Sequence, residues 1–194
     1  MKFRIFNYEE VTSTNDIAIK LIKEKKKQIG YVNALVQTKG RGTYGKRWVS
    51  KRGNLFGTLF FPLKEDYPSF SEFSIINPVI ISEVMNYFCK KERVSIKWPN
   101  DIFVDKKKIC GVLQELITLK RKKFLIIGIG INVLSNPNIN LKYKATNLFK
   151  VTKKKFPINK IIKLIILSYE NFFKNINSYN YAYFKEKNNL MSIN

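Results

Sequence analysis

A glycine-rich, basic segment near residue 40 is the first pattern in this sequence that could do chemistry. It reads Gly40-Arg41-Gly42-Thr43-Tyr44-Gly45-Lys46-Arg47-Trp48. Its glycines let the backbone curl around an anion and present N–H groups, and Arg41, Lys46 and Arg47 add fixed positive charge. The pattern predicts a phosphate-binding loop, although a mobile surface loop can have the same composition. It is not a Walker A loop, because Arg47 stands where that motif requires Ser or Thr.

A second polar segment reads Lys97-Trp98-Pro99-Asn100-Asp101. Pro99 and Asn100 predict a tight turn, which places Asp101 at the end of a strand, where functional sites often lie. Lys108 follows, with Gly111 beside it. An ammonium next to open backbone can stabilise charge on a carboxylate or phosphate. A hairpin corner capped by Asp101 is the structural alternative.

A third pattern, Gly128-Ile129-Gly130-Ile131-Asn132, closes an apolar segment. Glycine at alternate positions of a strand removes side chains from one face of the sheet. The space could accept a flat ligand or a closely packed backbone, and the residues alone favour neither.

The sequence has no histidine and two cysteines, Cys89 and Cys110, which lie far apart in the chain. These counts exclude His-based catalytic triads and a His/Cys zinc site, and they give no basis for a disulfide framework. We therefore expect catalysis to use lysine, arginine, carboxylates, backbone amides or a bound ion.

The formal net charge of +22 would by itself suggest a nucleic-acid partner. The lysine runs lie apart in the sequence, each between apolar segments, which is typical of solvated turns. They cover residues 25–27, 106–108, 120–123 and 153–155. A basic nucleic-acid-binding module remains an alternative, and it predicts binding that weakens steeply with salt.

The N-terminal residues lack a long apolar core and a cleavage site, and no window approaches about 18 consecutive apolar residues. We expect a soluble, cytoplasmic protein with no membrane partner.

Predicted strands and helices alternate along the chain without a repeat or linker, so we expect one domain over residues 1–194. Strands are predicted at 2–11, 31–38, 54–61, 94–98, 108–117 and 123–133. One helix should begin at Ser13-Thr14-Asn15-Asp16, a near match to a capping box. Another covers 71–90, where Pro78 must lie in the first turns or break the helix. The clearest helix runs for about four turns from Pro157. The fold class is α+β, with helices packed on a mixed, mostly antiparallel sheet.

In this order the segments resemble the catalytic domain of biotin protein ligases between Ser13 and Asn132, with looser similarity towards the C-terminus. Ser13-Thr14-Asn15 is similar to the family's biotin-pocket segment, and Gln37 with Gly40-Arg41-Gly42 and Trp48 is similar to its biotinyl-adenylate loop. The others match its remaining signatures: residues 97–101, Lys108 with Gly111, and 128–132. One such match is weak, whereas five in order are specific.

The resemblance implies a class II aminoacyl-tRNA synthetase-like fold and an ATP-dependent reaction. Biotin and ATP, with Mg²⁺, would form biotinyl-5'-AMP, and biotin would pass to a lysine of a biotin carboxyl carrier protein, an acetyl-CoA carboxylase subunit or similar. The enzyme would act as a monomer or homodimer. A lipoate or octanoate protein ligase is the nearest alternative.

The resemblance also implies residue roles. Biotin would contact Ser13, Thr14, Gln37, Gly111 and Gly130. Arg41 would bind the carboxylate or the phosphate, Trp48 and Asn132 would pack against the adenylate, and Lys108 would be the principal catalytic cation. The expected binding set also includes Asn15, Gly40, Gly42 and Asn100. Asp101 could equally orient or deprotonate the incoming amine, bind a metal or hold the turn, and no protein metal site is expected.

The chain departs from the family where two further basic residues often follow the second loop glycine. Thr43 and Tyr44 stand there, so we expect weaker retention of the adenylate. Because the sequence starts almost at the first strand, we expect no N-terminal DNA-binding domain, no DNA partner and no repressor activity. We also expect the small C-terminal β-barrel of many relatives to be absent.

Overall fold

Seven strands form one sheet in the computed structural model, which describes residues 1–90, 93–137 and 144–193. The strands are β1 (Ile5–Val11), β2 (Gly30–Gln37), β3 (Leu55–Pro62), β4 (Val94–Lys97), β5 (Asp101–Val104), β6 (Lys107–Leu119) and β7 (Lys122–Ile131). Their order across the sheet is β1-β2-β3-β7-β6-β5-β4. β1 and β2 are parallel, and the other neighbouring pairs are antiparallel. The predicted α+β class and mostly antiparallel sheet are confirmed.

Helices cover both faces of this sheet. They are α1 (Thr14–Lys23), α2 (Phe70–Phe88), α3 (Leu148–Thr152), α4 (Ile158–Lys174) and α5 (Tyr181–Met191). α1 packs on β2, β3 and β7, whereas α2 and α4 supply the larger core on the other face. β7 lies between the two layers, which explains why residues 124–131 are all buried and read as an apolar run rather than an alternating one. None of the described helices is long and apolar enough to cross a bilayer.

The last predicted helix is confirmed as α4. Its buried side chains recur at the spacing of one helical face: Ile161, Ile162, Ile165, Ile166, Tyr169 and Phe173. The hairpin predicted around residues 120–123 is also confirmed, with Lys120 and Arg121 at positive φ in the turn between β6 and β7.

The two expectations for Pro78 are both wrong. Pro78 lies near the middle of α2, which continues through it from Phe70 to Phe88. The proline removes one backbone donor, but the neighbouring turns bury apolar side chains such as Ile76, Ile81 and Met85 in the core. We infer that this burial outweighs the missing hydrogen bond.

The capping box expected at Ser13 is also wrong. Ser13 is the N-cap of α1 but makes no side-chain cap bond. A complete capping box occurs instead on α2, where Ser69 and Glu72 bond each other's backbone N–H groups. Asp16 forms an ion pair with Arg41 rather than closing a cap.

The sequence analysis did not predict β5, α3 or α5. β5 follows the Pro99-Asn100 turn, so Asp101 begins a strand instead of ending one. Its four residues pair with both β4 and β6, and such pairing over a few residues leaves little pattern in the sequence.

Two of the lysine runs lie at the same end of the sheet. Residues 25–27 follow α1, and residues 120–123 join β6 to β7. α1 packs on β7 through an apolar cluster that includes Leu21 and Phe124, whereas its first turn lies over Gly128. These two runs are therefore closer together in space than in sequence.

A buried polar chain joins α4, α2 and β6. The Tyr169 hydroxyl donates to Asn77 Oδ1 at 2.9 Å, and Asn77 Nδ2 donates to Gln114 Oε1 at 2.7 Å. Asn77 and Tyr169 are fully buried, so each bond replaces one that water would otherwise make.

We predict that Tyr169→Phe lowers the free energy of unfolding by about 1–3 kcal/mol, because it leaves the buried Asn77 Oδ1 without its donor. Urea denaturation followed by circular dichroism measures the change. Tyr87→Phe is the matched control, since Tyr87 is 61% exposed. Equal free energies for the two variants would contradict the structural role of the chain.

Candidate active site

A cavity of about 490 Å³ opens where the first turn of α1, the strands β6 and β7 and the loop 38–50 meet. Of the predicted site residues, all except Gly40 line it: Ser13, Thr14, Asn15, Gln37, Arg41, Gly42, Trp48, Asn100, Asp101, Lys108, Gly111, Gly130 and Asn132. Arg41 and Lys108, which are far apart in sequence, thus lie on the walls of one cavity.

Two glycines on neighbouring strands form the floor of the cavity. Gly111 of β6 and Gly130 of β7 are directly paired, and the indole ring of Trp48 lies over both. A Cβ on Gly111 would come 2.8 Å from the ring, and one on Gly130 would overlap it. Gly111 and Gly130 therefore make room for a flat group, which in this structure is the Trp48 side chain, whereas Gly128 lies against the side chain of Asn15.

The glycine-rich loop closes on itself as a small hairpin. Gly42 N–H donates to the Lys46 carbonyl at 2.7 Å, and Trp48 N–H donates to the Gly40 carbonyl at 2.9 Å. Tyr44 and Gly45 form its tip at positive φ. Because these N–H groups are used inside the loop, the loop meets the cavity mainly through side chains such as Arg41.

Lys108 forms a partly buried ion pair with Asp101. Its ammonium lies 2.6 Å from Asp101 Oδ1, and the two side chains are 14% and 15% exposed. The same ammonium lies 5.4 Å from the centre of the Trp48 ring, within the range of a cation–π interaction. Sequence reasoning had placed both residues at the site but had not paired them.

Cys110 precedes the floor glycine of β6 but points into the core on the other face. Burial raises the pKa of the Cys110 thiol far above its usual range, and the nearby Asp101 carboxylate raises it further. The thiol is therefore a poor candidate nucleophile, because it is buried in the core away from the cavity.

Arg41 is held by two carboxylates that sequence reasoning missed as its partners. Its guanidinium donates two bonds to Glu115, of 2.9 and 3.0 Å, and one of 2.8 Å to Asp16. Glu115 lies on the same face of β6 as Gly111, four residues further on. A single carboxylate on that face of an otherwise apolar strand was the signal that could have identified it.

A chain of polar side chains continues from Glu115 into the floor of the site. Asn15 Nδ2 donates to Glu115 Oε2 at 2.5 Å, and Asn15 Oδ1 lies 2.6 Å from the hydroxyl of Thr58. That hydroxyl is also 2.8 Å from Thr14 Oγ1, and its one proton can serve either acceptor. Thr58 is fully buried on β3 and was not predicted as a site residue.

Gln37 connects this chain to the loop. Its Oε1 accepts bonds from the N–H and the hydroxyl of Thr14, and its Nε2 donates to Ser50 Oγ at 2.9 Å. Ser50 in turn donates to the Trp48 carbonyl at 3.1 Å. The amide of Gln37 thus fixes the start of α1 against the segment that carries Trp48.

Three predicted binding residues also hold the backbone around the cavity. Asn100 Nδ2 donates to the Val112 carbonyl, and Asn132 Nδ2 donates to the Thr146 carbonyl. A Cβ on Gly40 would come 2.5 Å from the Trp48 carbonyl oxygen, so glycine is needed there for packing.

The arrangement suits chemistry between two anions. Arg41 and Lys108 face a common space, together with the other basic residues Lys46, Arg47 and Lys97. Asp101 is the carboxylate that lines the cavity in the described part of the chain. Within those same residues, no three histidine, cysteine, aspartate or glutamate side chains come together as metal ligands.

Comparison with known proteins identifies relatives. Residues 8–132 match the biotin/lipoate A/B protein ligase family. The bifunctional ligase/repressor BirA of Bacillus subtilis is 31% identical over 170 residues, covering 84% of this chain and 51% of the relative. The biotin–[acetyl-CoA-carboxylase] ligase of Paracoccus denitrificans is 30% identical over 128 residues, covering 65% and 53% respectively. The chain thus spans about half the length of these curated relatives.

Solved structures agree with the sequence matches. The biotin protein ligase of Aquifex aeolicus, in complex with biotin and ATP, superposes with a TM-score of 0.79 at 27% identity, covering 98% of this chain and 78% of that one. The Leishmania major enzyme in complex with biotinyl-5-AMP gives a TM-score of 0.78 at 28% identity, covering 98% and 81%. The chain, matched over most of its length in both sequence and fold, belongs to the biotin/lipoate A/B protein ligase family.

Proposed function

We propose that residues 1–194 form the catalytic domain of a biotin protein ligase. It would make biotinyl-5'-AMP from biotin and ATP and transfer biotin to a lysine of a biotin carboxyl carrier protein. The observation that carries this proposal is the placement of Arg41 and Lys108 on the walls of one cavity above a glycine floor. The relatives named above support biotin as the acid, since they are biotin ligases.

The two cations reduce the main energetic obstacle to adenylation. A carboxylate must approach the α-phosphate of ATP, and these two anions repel each other. Cations fixed on both sides of the meeting point offset that repulsion and hold the reacting groups in position. Arg41 would bind the biotin carboxylate or the phosphate, and Lys108 would be the principal catalytic cation.

The floor and the polar chain would bind the rest of the acid. Gly111 and Gly130 carry no side chains, and in this structure the Trp48 ring occupies the space above them. Biotin would contact these glycines once the ring moves aside, and their flat surface would suit its ring system. Ser13 and Thr14 line the same wall in buried positions. Buried polar groups that hydrogen-bond a ligand discriminate well between similar ligands, because a ligand lacking the matching groups leaves them unpaired.

Trp48 and Asn132 would pack against the adenylate. The Trp48 ring lies against the cavity, and its buried Nε1–H has no hydrogen-bond acceptor among the residues that the structure describes. A buried donor of this kind favours binding of a ligand that brings an acceptor. The proposed binding set also includes Asn15, Gly42 and Asn100, which line the cavity. Gly40 belongs to it because its lack of a side chain permits close packing against the Trp48 carbonyl.

Magnesium fits this site as a partner of the nucleotide. Mg²⁺ is commonly held by substrate phosphates together with one or two carboxylates, and it would neutralise charge on the departing pyrophosphate. Asp101 is the nearby carboxylate, although its bond to Lys108 equally suits holding the turn or orienting the amine. In the second half-reaction the carrier lysine attacks the mixed anhydride and AMP leaves.

A reaction with defined components tests the proposal. The protein is incubated with biotin, Mg²⁺-ATP and an apo carrier domain, and pyrophosphate release and biotinylation are followed together. We expect both products with biotin and neither with lipoate. Product with lipoate alone would favour a lipoate or octanoate ligase. Salt-sensitive nucleic-acid binding with no ATP consumption would instead favour the basic binding module.

Lys108→Ala should lower the rate of adenylation by about 100-fold to 1,000-fold, because it removes a charge placed at the reacting phosphate. Lys107→Ala is the matched control, since Lys107 is the exposed neighbour on the same strand. Circular dichroism establishes that both variants fold. Full activity of a folded Lys108→Ala enzyme would remove this residue from the catalytic set.

Thr43→Arg should slow release of biotinyl-adenylate by about tenfold, since a charge-assisted hydrogen bond of about 1.5 kcal/mol corresponds to that factor. Thr43 lines the cavity in the loop tip. Dissociation of the preformed adenylate is measured for the parent protein, Thr43→Arg and the neutral Thr43→Gln. Equal rates for all three would discard the idea that Thr43 weakens retention.

A further inference from the structure

Arg41, the cation assigned to a substrate anion, already has two anionic partners. Its guanidinium bonds Glu115 through both Nη atoms and Asp16 through Nη2. One positive and two negative groups give this cluster a formal charge of −1. A carboxylate or phosphate entering the cavity would therefore meet a cation whose charge is more than neutralised.

The two partners hold Arg41 in different ways. Glu115 makes a two-point fork with the guanidinium, and its Oε2 also accepts the bond from Asn15. It lies in the middle of a strand, directly paired with Ile126 of β7, and its side chain is 26% exposed. Forks of this kind are the strong form of an arginine–carboxylate pair. Glu115 is therefore a fixed partner.

Asp16 is the weaker partner. It makes one bond to Nη2, its side chain is 45% exposed, and it lies on the first turn of α1. An exposed, single-point ion pair competes with water and contributes little. Rotation of the Asp16 side chain would release Nη2 without disturbing the fork.

The geometry of the guanidinium leaves room for such an exchange. Arginine has five N–H donors in one plane, and the carboxylates take three of them. An entering oxyanion that replaced Asp16 would gain Nη2 and leave the charge of the cluster unchanged. Binding alongside Asp16 would instead add a second uncompensated negative charge.

We propose that Asp16 is an exchangeable partner of Arg41 that lowers the affinity of the cavity for the substrate anion, whereas Glu115 is the positioning residue that keeps Arg41 in place. This inference rests on the proposed function, because it takes biotin as the acid. It predicts that two variants with the same change of charge act in opposite directions.

Isothermal titration calorimetry of the full chain with two ligands tests this prediction. Biotin carries the carboxylate, and biotinamide carries a neutral amide in its place. Asp16→Asn should bind biotin roughly threefold to tenfold more tightly, since it removes one negative charge a few ångströms from the ligand anion. Biotinamide should bind equally well to Asp16→Asn and to the parent protein.

Glu115→Gln should bind biotin more weakly than the parent protein, although it also removes a negative charge, because Arg41 and Asn15 lose their common anchor. Its affinity for biotinamide should fall less. Glu24→Gln is the matched control for charge, since Glu24 lies just after α1 and pairs only weakly with Lys20 at 3.9 Å. It should leave both affinities unchanged.

The outcomes separate the possibilities. Tighter biotin binding by both Asp16→Asn and Glu115→Gln would overturn the positioning role of Glu115 and leave it as a second competitor. Unchanged biotin binding by Asp16→Asn would overturn the exchange itself, and this result does not depend on Glu115→Gln folding. A parent protein that bound neither ligand would instead refute the proposed function, and the inference with it.

Discussion

The structure depends on keeping two cations on the walls of one cavity without water to solvate them fully. Carboxylates stabilise both cations. Arg41 bonds Asp16 and Glu115, and Lys108 bonds Asp101. A partly buried cation without such a partner would bear a large desolvation cost. The acidic side chains therefore determine where the positive charge of the site lies, in a chain whose overall charge is strongly positive.

The fold supplies the fixed frame for these pairs. β6 and β7 bring Gly111 and Gly130 side by side, and the helical layer behind them is joined through the buried chain from Tyr169 to Gln114. On the other face, Asn15, Thr58 and Gln37 link α1, β3 and β2 by side-chain bonds. Asn15 of α1 bonds Glu115, and Glu115 bonds Arg41. A displacement of α1 would therefore also displace Glu115 and Arg41.

Sequence patterns predicted the parts of this site that depend on residue type. Three features were recognisable in the sequence because few residues can replace glycine or proline there. They are the glycines at alternate positions of β7, the loop around Arg41 and the turn before Asp101. α4 was predictable from the helical spacing of its apolar residues, and the hairpin of β6 and β7 from the basic turn between two apolar segments. These features are local, and a linear sequence displays them directly.

The rest depended on contacts between distant segments. Thr58 looks unremarkable in an apolar strand, and the lone carboxylate of Glu115 does not by itself indicate its partner. Both become site residues when the sheet aligns β3, β6 and β7 beneath α1. The capping box was expected at Ser13, although the side chain of Asp16 turns to Arg41 instead. Pro78 was expected to limit a helix, but packing of α2 against the core overrides that local preference.

The two cation sites differ in how they could admit a substrate. The ammonium of Lys108 has three donors that need not lie in one plane, so it can keep Asp101 and still bond a phosphate oxygen. Its pair is also much less exposed than that of Arg41 with Asp16, and separating charges costs more where water is scarce. Partner exchange is therefore favoured at Arg41, whereas Lys108 and Asp101 would stay together through the reaction. On this view the carboxylate of Asp101 orients its lysine, while the mobile carboxylate of the site is Asp16.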